Sequence, residues 1–340
     1  MRKIVPTIMA AAAGATLLAS VSAKAAEFDL TLATLPVPGT TFDMAIKGVP
    51  ERIEKATNGR VKITVNDSLV GGTQLAPAVR EGRVDLVAAI HPYLSGQEPR
   101  LGLSNLPGLI TTAMQYKFVF DAFMGDDYKK IWNEKWNSTV LAEGLWTNQL
   151  LWSKHRIEKV EDFKGKKIRV HNRETALLMN AIGAKPTPMA AAEVMAGLQR
   201  GVIDGLTTST CYGYKQEFWR IAKYVYNWRI APHTGWAVLV NNQVWEKIPA
   251  DLQAEIRKAM YEMQEQFFSN YYSHTRRCIK GLQDKGVEFA VADDSEVARL
   301  FVPKYTDAVY QGWYKAAKRV GFDGEAYVER TRMVLGNDIR

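Results

Sequence analysis

Four cations crowd into one short stretch, Asp162-Phe163-Lys164-Gly165-Lys166-Lys167-Ile168-Arg169-Val170, and one of them differs from the others. The three lysines flank a glycine and read as a solvated turn. Arg169 lies between Ile168 and Val170 in an apolar run, so in a strand its side chain points away from theirs. A guanidinium is a planar fork of donors that matches a carboxylate with two parallel hydrogen bonds. Two readings of Arg169 stay open: an ion pair with an internal carboxylate, or a cation facing a cleft and holding an anionic ligand. His91 and Tyr93 follow an apolar run that ends at Ile90. Open α/β sheets bind ligands at strand carboxyl ends, which makes both of them candidates. Trp146, Trp152, Tyr212 and Trp236 could cover an apolar ligand body, core packing being the commoner role for any one of them. His233 reads either as a hinge hydrogen-bonder or as a satisfied loop residue.

Catalytic signatures are absent. The chain has no H-E-x-x-H, G-x-S-x-G or G-x-G-x-x-G motif and no phosphate-binding loop. Its five histidines have no metal-like spacing, so neither a metal nor a cofactor is implied. The two cysteines, Cys211 and Cys278, form no C-x-x-C pair. An oxidising compartment could join them. Nothing in the sequence brings them together, however, and two buried thiols are the expected state. The formal net charge of +8 is spread along the chain without a basic block, so a nucleic-acid partner is not expected.

Positioning these side chains requires two α/β units. Residues 1–25 combine Arg2 and Lys3, an apolar run and Ala23-Lys24-Ala25, the three parts of a cleavable secretory signal, which predicts export to the periplasm. The remainder is longer than one hydrophobic core usually serves. Strands are expected at 28–34, 60–65 and 84–90, alternating with helices at 39–57 and 73–81, which implies a mostly parallel sheet. A second set follows, with strands at 139–146, 148–153, 167–171, 203–207, 224–229 and 236–240 and helices at 173–182 and 190–200. From Pro249 the pattern Leu252, Ile256, Met260, Met263, Phe267, Tyr271 need not break before Gly286. One helix of roughly 50 Å lying across both units is the favoured reading, a broken pair the alternative. A strand at 287–291 and two helices finish the chain. The expected division is 26–147 with 236–274 as one domain, 148–235 with 275–330 as the other, and 331–340 as a tail.

Four stretches carry a resemblance to a known family: Gly165-Lys166-Lys167-Ile168-Arg169-Val170; Gly183-Ala184-Lys185-Pro186-Thr187-Pro188-Met189 with Glu193 and Val194; Leu198-Gln199-Arg200-Gly201-Val202-Ile203-Asp204-Gly205; and Asn241, Asn242 and Trp245 before Pro249-Ala250-Asp251-Leu252-Gln253. In order and spacing, from about residue 28 to 330, the chain resembles the periplasmic solute-binding subunits of tripartite ATP-independent periplasmic (TRAP) transporters. The resemblance implies a periplasmic-binding-protein-like fold, with two α/β domains around a cleft joined by crossing strands and a long helix. It implies a small organic acid as ligand, two membrane subunits as partners, and Arg169 as the carboxylate anchor. Asn172 falls where some members contact ligand, and Thr208 where many use asparagine. Gln149 stands where sialic-acid-binding members have a second arginine, which argues against that ligand. Ala191 replaces a phenylalanine of the pocket wall. The expected ligand set is therefore Arg169, Gln149, Asn172, Thr208, Trp236, His91 and Tyr212. Two rival functions use the same cleft: a periplasmic enzyme on organic acids with His91 or His233 as acid–base group, and an adaptor presenting ligand to a receptor kinase.

Overall fold

The computed structural model describes residues 26–230 and 233–336, so the expected signal segment 1–25 and the end of the expected tail lie outside the described residues. The chain forms eleven strands among the described residues, divided between two mixed sheets. The first sheet has the order β2-β1-β3-β10-β4, from β1 Phe28–Ala33, β2 Val61–Asn66, β3 Leu86–Ile90, β4 Ser138–Leu145 and β10 Gly235–Asn241. The second has the order β11-β9-β5-β8-β6-β7, from β5 Gln149–Ser153, β6 Lys167–Val170, β7 Lys185–Pro188, β8 Gly205–Ser209, β9 Tyr224–Asn227 and β11 Glu288–Val291.

The parallel kernels are β2-β1-β3 in one sheet and β8-β6-β7 in the other. One strand in each sheet, β10 and β5, runs against the others, because the chain crosses between sheets at β4/β5 and returns at β9/β10. β10 inserts between β3 and β4, antiparallel to each, and β5 runs antiparallel to β8 and β9. The two crossings are tied together where Trp146 N–H donates to the Thr234 carbonyl at 2.9 Å. β3 and β10 are buried along their whole length, as expected of apolar strands covered on both faces.

Helices cover the sheets. α1 Thr41–Lys47, α2 Val49–Ala56, α3 Leu75–Arg80, α4 Ala113–Val119 and α5 Gly125–Trp136 belong to the first half, and α6 Arg173–Ala181, α7 Val194–Gln199 and α8 Thr210–Lys215 to the second. α9 Asn242–Lys247 leads into α10 Ala250–Asp284, followed by α11 Asp294–Leu300, α12 Pro303–Arg319 and α13 Gly324–Val334. α10 is a single helix of 35 residues. It packs on β4 and α2 of the first half and on α8 of the second.

Several expectations need correction. The helix expected over 39–57 is split at Gly48, because Pro50 has no N–H to continue the ladder and instead sits in the first turn of α2. β7, with Pro186 and Pro188, was not expected as a strand. It is tolerated because it is the sheet edge, where a missing donor costs no ladder bond. Three helices, not two, end the chain. α12 packs on α6 of the second half, whereas α13 reaches back to the first, where Tyr327 Oη donates to Asp127 at 3.0 Å. α13 runs to Val334, so the stretch read as a tail from 331 begins as helix. The two cysteines are not thiols. Cys211 in α8 and Cys278 in α10 form a disulfide, since the long helix lays the two segments side by side.

Candidate functional site

β6 and β8 are parallel neighbours and β5 is antiparallel to β8, so the carboxyl ends of β6 and β8 lie beside the amino end of β5. The carboxyl end of β3 and the two crossings face them from the other side. Between these ends sits a small cavity lined by Ile90, Tyr93, Trp146, Gln149, Arg169, His171, Ala191, Thr208, Ser209, Tyr212 and Thr234. Its volume is about 30 Å³, room for a water or two and far below the ~300 Å³ of an ordinary ligand pocket. The two halves are therefore closed on each other around these side chains. Past Tyr93 and Ala191 the cleft widens into a space of about 200 Å³ between residues 35–37 and 67–72 of one half and 190–192 of the other.

Arg169 dominates the cavity chemically. It is only 2% exposed. Its Nε–H donates to the Met189 carbonyl at 2.9 Å and Nη1 to the Thr207 carbonyl at 3.1 Å. A guanidinium has five N–H donors, so these two bonds aim the fork, and the Tyr93 hydroxyl beside it is a further polar partner. No carboxylate among the described residues pairs with it. Burial pulls its pKa down, opposed by the Tyr93 and Tyr212 phenols and, more weakly, by Glu193. A buried cation without its own counter-charge is costly, and a ligand anion relieves that cost.

The other walls are polar below and aromatic above. Gln149 Nε2 donates to the Thr147 carbonyl at 3.1 Å, which fixes the amide with its oxygen unused among the described residues. Tyr212 Oη donates to the Ala191 carbonyl at 2.9 Å, and burial pushes its phenol well above the ordinary range. Ser209 Oγ caps α8 by accepting from Tyr212 N–H at 3.2 Å. Trp146 stacks on Phe42 of the first half at 4.8 Å and meets Tyr212 of the second edge-on at 6.2 Å, so one aromatic column spans the crossing.

Of the residues expected at the site, Arg169, Gln149, Thr208 and Tyr212 line the same cavity, together with Tyr93 and Trp146. Three expected residues do not. His91 is sealed beneath the floor, edge-on to Tyr128 at 4.8 Å and beside Trp132, because Pro92 starts a tight turn that brings Tyr93 to the cavity instead. Trp236 is fully buried between Phe42 and Phe267. It lies over Gly144, where an added Cβ would come within 2.3 Å of the ring. Asn172 caps α6, its Oδ1 accepting from Thr175 N–H at 2.7 Å, while its Nδ2 reaches Asn105 Oδ1 of the first half at 3.2 Å. His233 is buried and outside the lining as well, with burial pulling its pKa to about 4.

Sequence reading missed His171, Ser209 and Thr234. His171 was detectable, because it follows Arg169 by two residues and strand alternation places both on one face. The halves also meet beside the cavity at Glu174, in the first turn of α6. Its Oε2 accepts from Ser95 Oγ at 3.0 Å, and its carboxylate packs on Gly102, where a Cβ would come within 2.9 Å. Burial pushes this carboxyl up to about 7, against the Ser95 hydroxyl and the Arg173 charge. A roomier groove, about 530 Å³, lies elsewhere, between α2 and α10. Its rim alternates Glu51, Arg52, Lys55, Glu255, Lys258 and Glu262, which gives no net pull on an anion. Among the described residues no group of three or more His, Cys, Asp or Glu could hold a metal ion, and no helix is long and apolar enough to cross a membrane.

This arrangement, a cavity between two crossed α/β halves with a buried cation at its base, has known relatives. Residues 34–313 match the sequence model of the DctP family, described as bacterial extracellular solute-binding protein, family 7. The chain belongs to that family. A curated relative, the C4-dicarboxylate-binding periplasmic protein DctP of Rhodobacter capsulatus, is 26% identical over 291 residues, covering 82% of this chain and 85% of the relative. Among solved structures, a Bordetella pertussis extracytoplasmic solute receptor binding pyroglutamic acid superposes with a TM-score of 0.82 at 20% identity, covering 90% of this chain and 99% of the other. A TRAP periplasmic solute-binding protein of Ralstonia eutropha with bound (S)-2-acetolactate gives a TM-score of 0.81 at 22% identity, covering 91% and 99%. These structures share the two-domain fold described above. The family consists of transport-associated binding proteins.

Proposed function

We propose that the protein is the periplasmic receptor of a TRAP transporter, capturing a small organic acid by its carboxylate and delivering it to two membrane subunits. The observation that carries this reading is Arg169: a buried guanidinium, aimed by two carbonyls, with no carboxylate of the described residues paired to it. Gln149 and Thr208 order the polar end of the ligand, and Trp146, Tyr93 and Tyr212 cover the remainder. The C4-dicarboxylate, pyroglutamate and acetolactate named for the relatives share one chemical group, a carboxylate.

Binding requires the halves to part, because the cavity is far smaller than the ~300 Å³ of an ordinary ligand pocket. The two crossings and α10 are the segments that flex in this scheme, and closure strengthens the ion pair by excluding water. The domain division is then 26–147 with 236–274 against 148–235 with 275–330, α13 serving as a strap back to the first unit. The ligand leaves chemically unchanged, as for a carrier and not an enzyme.

The test is calorimetric titration of a panel of mono- and dicarboxylic acids, first with the native protein and then with Arg169→Ala. Loss of the guanidinium should weaken the best ligand by about 2–5 kcal/mol. Affinity left nearly unchanged by Arg169→Ala overturns the assignment, and recovery of a transformed ligand overturns the carrier role.

A further inference from the structure

The His171 ring forms part of the cavity wall, and its hydrogen bonds determine which nitrogen carries the proton. Asn172 Oδ1 accepts from the helix N–H of Thr175, so the amide must present its NH2 group at the other end. That Nδ2 sits 3.2 Å from Asn105 Oδ1 and 3.2 Å from His171 Nε2. An amide nitrogen is a donor only. His171 Nε2 is therefore the acceptor, and the Thr234 hydroxyl, 3.1 Å away, can donate to the same lone pair. The neutral ring must then hold its proton on Nδ1. Burial, then the neighbouring Arg169 charge, pull its pKa down to about 3, which keeps the ring neutral at ordinary pH. Although part of the side chain is accessible, Nδ1 itself is covered and has no protein acceptor among the described residues. A covered N–H without an acceptor is a costly arrangement unless something else supplies one.

We propose that His171 Nδ1–H is a specificity-determining donor, reading an acceptor oxygen next to the carboxylate held by Arg169, and that the ligand is therefore a 2-oxo or 2-hydroxy acid. This rests on the carboxylate reading of the cavity and deepens it. Both side chains line one cavity, Arg169 near the end of β6 and His171 just past it, and the Arg169 charge acts on the ring, so the cation and the neutral donor can address one small molecule. The roles differ in kind. Arg169 attracts any carboxylate. His171 adds nothing to the charge and rewards only a ligand that brings an oxygen to its N–H, while an unsubstituted acid leaves that donor unpaired.

Two measurements test this. Long-range ¹H–¹⁵N correlation of the native protein should show His171 protonated at Nδ1 with an unprotonated Nε2 at neutral pH. The opposite tautomer, or an imidazolium, overturns the inference without any ligand. In the second, 4-methyl-2-oxopentanoate, 2-hydroxy-4-methylpentanoate and 4-methylpentanoate are titrated against native protein, His171→Phe and His171→Gln. The native protein should favour the oxygenated acids by roughly ten- to a hundredfold. His171→Phe should erase that preference by weakening the oxygenated acids alone, and His171→Gln, which retains an N–H, should restore part of it. Equal binding of all three acids by the native protein overturns the inference and leaves the carboxylate reading intact. Failure of every carboxylic acid to bind, in this set and in the wider panel, overturns both.

Discussion

The carboxyl ends of β3 and β6 invite comparison. Each ends an apolar strand, each is followed by a histidine, and burial pulls both His91 and His171 down to about 3. Their surroundings part company there. His91 lies against Tyr128 and Trp132 and makes no hydrogen bond among the described residues. His171 is held by Asn172 and Thr234 and forms part of a cavity wall beside Arg169. Burial and titration shift do not separate these two histidines. The hydrogen bonds that fix the tautomer of His171 and the void beside it do.

The comparison assigns packing to His91 and hydrogen bonding at the cavity wall to His171, and four experiments can break or sharpen that division. The largest effect is expected from Trp236→Ala, which empties a site between Phe42 and Phe267 and should cost about 3–5 kcal/mol in urea unfolding. The variant that stays folded should keep its ligand affinity; a large affinity loss with stability intact would put Trp236 at the site and break the division.

Next comes the disulfide, which joins segments 67 residues apart and anchors α10 to the second half. Its replacement by a pair of alanines should lower stability by about 2–4 kcal/mol, read from the thermal midpoint, because the unfolded chain regains loop entropy. A neutral result would show that α10 is held by packing alone.

The third is a pH series centred on Glu174. Its carboxyl is raised from 4.5 to about 7 by burial in the native state. The folded protein therefore binds this proton more tightly than the unfolded chain does. The resulting stability is fully present below the unfolded value near 4.5 and is lost as pH rises through about 7. The swing is on the order of 3 kcal/mol. Comparing native protein with Glu174→Gln by urea unfolding at several pH values isolates it, since the glutamine variant should lose this part of the pH dependence. Identical pH profiles would mean that the carboxyl is not sealed between the halves.

The smallest change is expected from His91→Phe. Both ring nitrogens lack partners, so an isosteric apolar ring should alter stability by no more than about 1 kcal/mol and leave ligand affinity unchanged. A tenfold loss of affinity would place His91 in the site and remove the contrast with His171.

Much of this architecture was legible beforehand. β-branched runs between helical patterns gave the parallel kernel of the first sheet, and the apolar spacing from Leu252 to Tyr271 gave the single long helix, because both are local periodicities. Arg169 stood out since a cation inside an apolar strand has few reasons to be there. Gln149, Thr208 and Tyr212 came from a family resemblance and an aromatic shortlist, and they converge on Arg169 only through strand pairing. What was illegible was non-local. β10 inserts antiparallel between β3 and β4, which no run of residues 235–241 announces. The edge strand β7 was hidden by its prolines, and the pairing of Cys211 with Cys278 depended on where α10 lies.

By itself, then, the sequence determined the periodic elements, the two-part α/β organisation, the missing catalytic signatures and the presence of one cation out of place in a strand. These follow from side-chain alternation, helical spacing and composition, which act over a few residues. Only the tertiary structure decided which histidine faces the cavity, that Trp236 supports the site without lining it, that Asn172 orients its neighbour, and that the cysteines are joined. Each of those depends on contacts between segments many residues apart, where packing and hydrogen-bond satisfaction, not local propensity, choose a side chain's partner.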